Sequence, residues 1–322
     1  MVAEAGGQTM TPSKDVIVHQ RHHALRKLFV DNADAQRVSR AIEEAVGEYR
    51  VASADSIRYE ARGIAILGKS GAGKTHTVLH GLSELDLFET QPGDAPRPFL
   101  IAQMSARSTL RAVCSDILAG FGWEASARDS APTIWRKVEG YMQQLDTFIL
   151  VLDEIQHVRS AGREDREALT SFLKSLVLPR PRAIIPIVVG MPAFSEVLHS
   201  DDQLRRRFRQ VIMRKMDPAI DQGLAIMTLD QYAQNAKIDL ARTVRTREFA
   251  ARLLHAACYA FGEMCAYCRS AIKVAMVHQH DALGIEHFQE LYRLNTDCLP
   301  ALNPFIADDF LSIQIGEEPL DP

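Results

Sequence analysis

Residues 68–75 read Gly68-Lys69-Ser70-Gly71-Ala72-Gly73-Lys74-Thr75, which is G-x-x-x-x-G-K-[ST] without a gap. Glycines at these places let successive backbone N–H groups turn inward without Cβ clashes and form an anion cradle. A helix opening at this point adds its N-terminal dipole. The spacing therefore predicts a phosphate site made by Gly68, Ser70, Gly71, Ala72, Gly73, Lys74, Thr75 and His76. Lys74 suits the β/γ-phosphates of ATP and the Thr75 hydroxyl suits Mg²⁺. Further along, five apolar residues (148–152) end in Asp153 and Glu154. Asp153 is the expected Mg²⁺ partner, and Glu154 the expected polariser of an attacking water. A carboxylate directly after the metal-binding Asp favours an NTPase with its own catalytic acid over a kinase-like fold.

Two further stretches bear on catalysis. Ile184–Val189 runs into Gly190-Met191-Pro192, so the strand end that often presents a polar side chain to the γ-phosphate offers Met191 instead. Residues 201–209 read DDQLRRRFR. An arginine at this distance past the fourth strand is where oligomeric ATPases place a finger that reaches a neighbour's nucleotide; Arg207 is the first choice and Arg206 the second.

The elements that must hold these residues are legible as alternation. Short apolar runs at Gly63–Leu67, Phe99–Gln103, Phe148–Leu152 and Ile184–Val189 are separated by helical stretches at Thr75–Leu85, Thr109–Gly120, Ile134–Leu145 and Arg166–Val177. Strands apolar on both faces and separated by helices predict a parallel sheet covered on both sides, an α/β fold. After Lys215 the expected strands stop, and residues 217–295 read as helices only. The expected organisation is an N-terminal leader with helices (1–58), an ATPase core (59–215), a helical lid domain (216–296) and an acidic C-terminal tail (297–322).

Composition sets outer limits. The 322 residues are 47% hydrophobic and 24% charged, ordinary for a globular protein and incompatible with a disordered or collagen-like chain. No apolar run approaches the ~20 residues of a membrane helix, and no secretory signal is visible, so a bacterial cytoplasm is the expected location. The net charge is −4, but residues 308–322 hold five acids and no base, leaving 37 bases against 36 acids elsewhere. That excludes a basic coat protein and leaves room for a basic pore. Of the five cysteines, Cys265 and Cys268 form a C-x-x-C inside an apolar helical pattern, which reads as buried thiols rather than a zinc site.

Taken together, GKSGAGKT at 68–75, the 101–123 stretch, FILVLDEIQHV at 148–158, the 169–192 stretch and DDQLRRRF at 201–208 resemble the AAA+ ATPases of DNA transposition, the TniB/TnsC type. The likeness runs from about Ile17 to His278. It departs at Gly190-Met191, where relatives usually carry Gly-Thr. In the helical domain Arg269 is the one candidate for a sensor arginine, and Val16, Ile17 and Arg21 lie near the expected adenine position. The resemblance implies binding of ATP, homo-oligomerisation as a ring or filament on double-stranded DNA, and recruitment of a transposase, with a target-selector protein as a further partner. ATP hydrolysis then recycles the assembly. It also implies nucleoid association when DNA-bound. DNA contact in such proteins follows the second strand, which here brings in Arg107, Ser108, Thr109 and Arg111. A helicase-loader or insertion-sequence helper ATPase, and a nucleotide-gated scaffold with little turnover, are the alternatives.

Overall fold

The computed structural model describes residues 14–55, 61–87, 96–105, 109–156, 163–179 and 182–315. In chain order the elements are α1 (Lys14–Arg26), α2 (Ala33–Ala54), β1 (Gly63–Leu67), α3 (Lys74–Ser83), β2 (Phe99–Gln103), α4 (Leu110–Gly120), α5 (Ala131–Gln144) and β3 (Ile149–Asp153). There follow α6 (Arg163–Leu176), β4 (Ile185–Gly190), α7 (Phe194–His199), α8 (Asp202–Arg207) and β5 (Phe208–Ile212). The last group is α9 (Gln222–Ala236), β6 (Asp239–Leu240), α10 (Arg247–Ala256), α11 (Phe261–Val277), β7 (Ala282–Leu283) and α12 (Ile285–Thr296).

The described residues form two units, one within 31–214 and the other made of 14–30 with 215–315. In the first, five strands make one sheet in the order β2-β3-β4-β1-β5, and each neighbouring pair is parallel. Side chains alternate across it. Ala65, Leu67, Leu150, Leu152 and Val188 pack with residues of α4, α5 and α6. Ile64, Ile66, Ile149, Val151 and Ile187 pack with residues of α2 and α3 on the other face. Burying each branched side chain contributes about 1.5–3 kcal/mol, so both faces must be covered. Helix starts are set by side chains that accept the first free N–H groups: Asn32 for α2, Thr109 for α4, Ser130 for α5 and Asp201 for α8.

Strand β5 is a correction to the expected four-strand core. It pairs with β1 from Gly63↔Phe208 to Leu67↔Ile212. Its sequence FRQVI buries Phe208 and Val211 and exposes Arg209 and Ile212, so no continuous apolar run announces it. Edge strands have one free side and tolerate such polarity. The expected strand over 148–152 lies one residue later, which makes Asp153 the last residue of β3.

Among the described residues the second unit is helical apart from the β6–β7 pair, two residues each. Leu25 and Val30 share its core with residues of α9, α10, α11 and α12. The expected 1–58 segment is therefore split: α1 belongs to the helical unit and α2 to the sheet. Periodicity identifies such helices but not the core each one joins. The described part of the expected tail is packed as well. Arg252 donates to the carbonyls of Pro304 (2.7 Å) and Ala307 (2.6 Å), and Asn303 donates to that of Gln289 (2.8 Å). Phe305 is buried in the helical core. Cys265 and Cys268 are buried on α11, and burial pushes the Cys265 thiol up to about 11 and that of Cys268 well above its ordinary value. Among the described residues no helix is long and apolar enough to cross a membrane.

Candidate nucleotide site

In a parallel α/β sheet the carboxyl ends of the strands are where ligands bind, and the predicted residues gather there. The loop after β1 turns through two left-handed glycines, Gly71 (φ 73°) and Gly73 (φ 88°), a region that L-residues enter at a cost. Gly73 caps α3 and aims the helix start at the loop. Lys74, only 7% exposed, donates from Nζ to the carbonyls of Gly68 (2.9 Å) and Lys69 (3.0 Å). Burial lowers its pKa, partly offset by the carboxylates of Glu154 and Asp153. The loop carbonyls thus hold the ammonium, within electrostatic reach of both acids.

The Thr75 hydroxyl donates to Asp153 Oδ2 at 2.7 Å. The other oxygen, Oδ1, accepts the Glu154 N–H at 2.8 Å. A hydroxyl and a carboxylate side by side are hard oxygen donors of the kind Mg²⁺ takes together with phosphate oxygens and waters, so the residues fit that ion. Glu154 follows the strand in a left-handed backbone conformation, φ 58°. Such strain costs on the order of 1–3 kcal/mol and clusters at functional sites. It breaks the strand alternation and turns Glu154 away from the direction the next strand position would take.

Gln156 was not singled out by the sequence on chemical grounds. Its amide nitrogen donates to the Glu154 carboxylate, and its amide oxygen accepts the Met191 N–H at 3.2 Å. Gly190, the last residue of β4, donates nothing to this link but allows it: a Cβ there would lie 2.8 Å from Ile155 Cγ2 and 3.0 Å from Gln156 Oε1. Its carbonyl accepts the Gly68 N–H at 3.0 Å. The end of β4 is therefore tied to the phosphate loop on one side and to the acidic pair on the other.

The remaining predicted residues make other contacts or fall outside the described set. His76 is exposed on the first turn of α3. Arg207 ends α8, half-buried, with Nη1 3.4 Å from the Val177 carbonyl. Arg206 is exposed beside it. Arg107 and Ser108 lie outside the described residues. The Thr109 hydroxyl accepts the Ala112 N–H as the cap of α4. Arg111 is exposed and donates to the carbonyls of Asp129 (3.0 Å) and Ser126 (2.9 Å). Arg269 donates to the Tyr232 hydroxyl at 2.9 Å with its guanidinium over that ring, and Arg21 donates to the Ala236 carbonyl. Both arginines are engaged within the helical unit. Among the described residues no group of three or more His, Cys, Asp or Glu could hold a metal ion by itself.

Residues 30–217 match the family model described as "Bacterial TniB protein". Among solved structures, the ORC2 protein of Aeropyrum pernix, determined as ADPNP-ADP complexes, is 15% identical, covers 83% of this chain and 69% of its own, and superposes with a TM-score of 0.53. The ORC1 protein of the same organism, determined in complex with DNA, is also 15% identical, with 81% of this chain and 64% of its own covered and a TM-score of 0.53. No curated protein sequence matches significantly. At this identity the structural likeness establishes the fold alone, a parallel α/β core and a helical unit.

Proposed function

The chain belongs to the TniB family, and from that premise we propose that it is an ATP-dependent, DNA-binding regulator of transposition. It assembles on target DNA, recruits and activates a transposase, and is recycled by ATP hydrolysis. The observation that carries this reading is the convergence of Lys74, Thr75, Asp153 and Glu154 at one edge of the sheet.

In this account the Gly68–Lys74 loop and the start of α3 hold the triphosphate, since backbone N–H groups and a helix N-terminus favour anions. Lys74 moves from the loop carbonyls to the β/γ-phosphates. Thr75 and Asp153 would hold Mg²⁺, which supplies positive charge against the phosphate oxygens when bound. Glu154 accepts the hydrogen bond of the attacking water and aligns it with the γ-phosphorus. Arg207 completes the site of a neighbouring copy and stabilises charge in the transition state, so the active form is an oligomer. Arg107, Ser108, Thr109 and Arg111 contact duplex phosphates, which positions the protein without reading sequence. The ADPNP-ADP and DNA complexes belong to the ORC proteins of Aeropyrum pernix and support this reading by their fold. The family match favours a transposition regulator over a helicase loader.

The test is assembly. Sedimentation of the purified chain with a duplex, with and without ATP, reads both steps at once. The proposal expects a fast-sedimenting complex that needs ATP and DNA together and is lost in Lys74→Ala. A chain that stays the same size under all conditions overturns it.

A further inference from the structure

Position 191 poses a chemical problem. A polar side chain at the end of β4 would be placed to sense the γ-phosphate, and Met191 has none to offer. The hydrogen bonds around it supply a substitute. Gln156 accepts the Met191 backbone N–H at 3.2 Å and donates to the Glu154 carboxylate. The adjoining Gly190 carbonyl takes the first N–H of the phosphate loop, that of Gly68, at 3.0 Å.

We propose that Gln156 is the positioning residue for Glu154, aiming its carboxylate and coupling it to the end of β4 and so to the phosphate loop. This rests on the ATPase reading above. Three physical points carry it. The amide has one donor end and one acceptor end, and the Met191 N–H fixes which end faces which partner. Reversing it would set oxygen against carboxylate oxygen and nitrogen against N–H. Second, Glu154 sits at φ 58°, so the strand does not fix its direction and an outside hydrogen bond must. Third, the link needs Gly190, because any Cβ there would press on Gln156 Oε1 at 3.0 Å. One oxygen of the carboxylate takes the amide, and the other is left for water.

The experiment uses the full chain with duplex DNA. ATP turnover, KM and the dissociation constant for a fluorescent ATP analogue are measured for wild type, Gln156→Ala, Gln156→Glu, Glu154→Gln and the Glu154→Gln/Gln156→Ala pair. Melting curves establish that each variant is folded. Misaiming a catalytic group by an ångström costs roughly 100-fold, so kcat of Gln156→Ala falls by about 10- to 100-fold with nucleotide affinity unchanged. Once Glu154 is neutralised, removing Gln156 costs nothing more. In Gln156→Glu the introduced carboxyl can donate to Glu154 only when protonated, so its turnover relative to wild type rises as pH falls. Equal kcat in wild type and Gln156→Ala overturns the proposal while leaving the ATPase reading intact. So does a loss that appears equally in nucleotide affinity, which marks a structural role. A wild-type chain that hydrolyses no ATP overturns both.

Discussion

Thr75 and Asp153, 78 positions apart in the chain, are joined by a 2.7 Å hydrogen bond from hydroxyl to carboxylate. One residue lies in the first turn of the helix after β1 and the other ends β3, with β4 lying between these two strands in the sheet. The pairing is a consequence of parallel topology, which brings the carboxyl ends of separate strands to one edge.

The first prediction concerns that pair. Asp153→Asn keeps the shape and an oxygen for the Glu154 N–H, and its amide nitrogen can face the Thr75 hydroxyl, which accepts as well as donates, but it removes the charge a divalent cation needs. Turnover should fall by about 100-fold or more, the scale of losing one electrostatic group in a catalytic site, and the Mg²⁺ concentration for half-maximal turnover should rise. Thermal stability should change little. A large stability loss with an unaltered Mg²⁺ dependence would make Asp153 structural.

Glu154 yields a prediction of opposite sign to habit. Its left-handed backbone, φ 58°, strains any residue with a Cβ. Glycine normally destabilises relative to alanine, yet Glu154→Gly should melt higher than Glu154→Ala, by about 1 kcal/mol, although both are inactive. Equal stability, or alanine the more stable, would mean the turn relaxes in solution.

Much of this geometry was legible in the sequence because it is local. The phosphate loop is a contiguous string, and β1, β2, β3 and β4 are apolar runs that only a doubly covered sheet can bury. β5 was not legible, because Arg209 and Gln210 interrupt Phe208 and Val211 and its partner β1 lies far back in the chain. The membership of α1 in the helical unit depends on which core Leu25 and Val30 join. The packing of residues 303–307 depends on Arg252, half a hundred residues earlier. Gln156 was not legible because its role comes from the left-handed turn at Glu154, a feature that residue type does not announce for glutamate.

Arg207 bears on assembly. If it completes a neighbour's site, Arg207→Ala and Lys74→Ala fail for different reasons in different subunits. Mixing the two inactive proteins should restore part of the turnover, because some interfaces then pair an intact loop with an intact arginine. Absence of restoration over all mixing ratios would place Arg207 in its own subunit's structure, on the Val177 carbonyl.

Thr109 and Arg111 carry structural work beside the proposed DNA contact. Thr109→Ala removes the cap of α4 and should cost about 1 kcal/mol of stability. Arg111→Ala frees the carbonyls of Ser126 and Asp129 and, if Arg111 also meets a phosphate, lowers the slope of log affinity against log salt by about 1. A melting shift with an unchanged salt slope would confine Arg111 to the loop.

In the proposed function this site hydrolyses ATP under the control of DNA. The most direct measurement is the steady-state ATPase rate of the wild-type chain with and without duplex DNA, beside Glu154→Gln. Turnover should change with duplex DNA and be abolished in Glu154→Gln while ATP still binds. A wild-type rate that DNA leaves unaltered, or that Glu154→Gln equals, would contradict it.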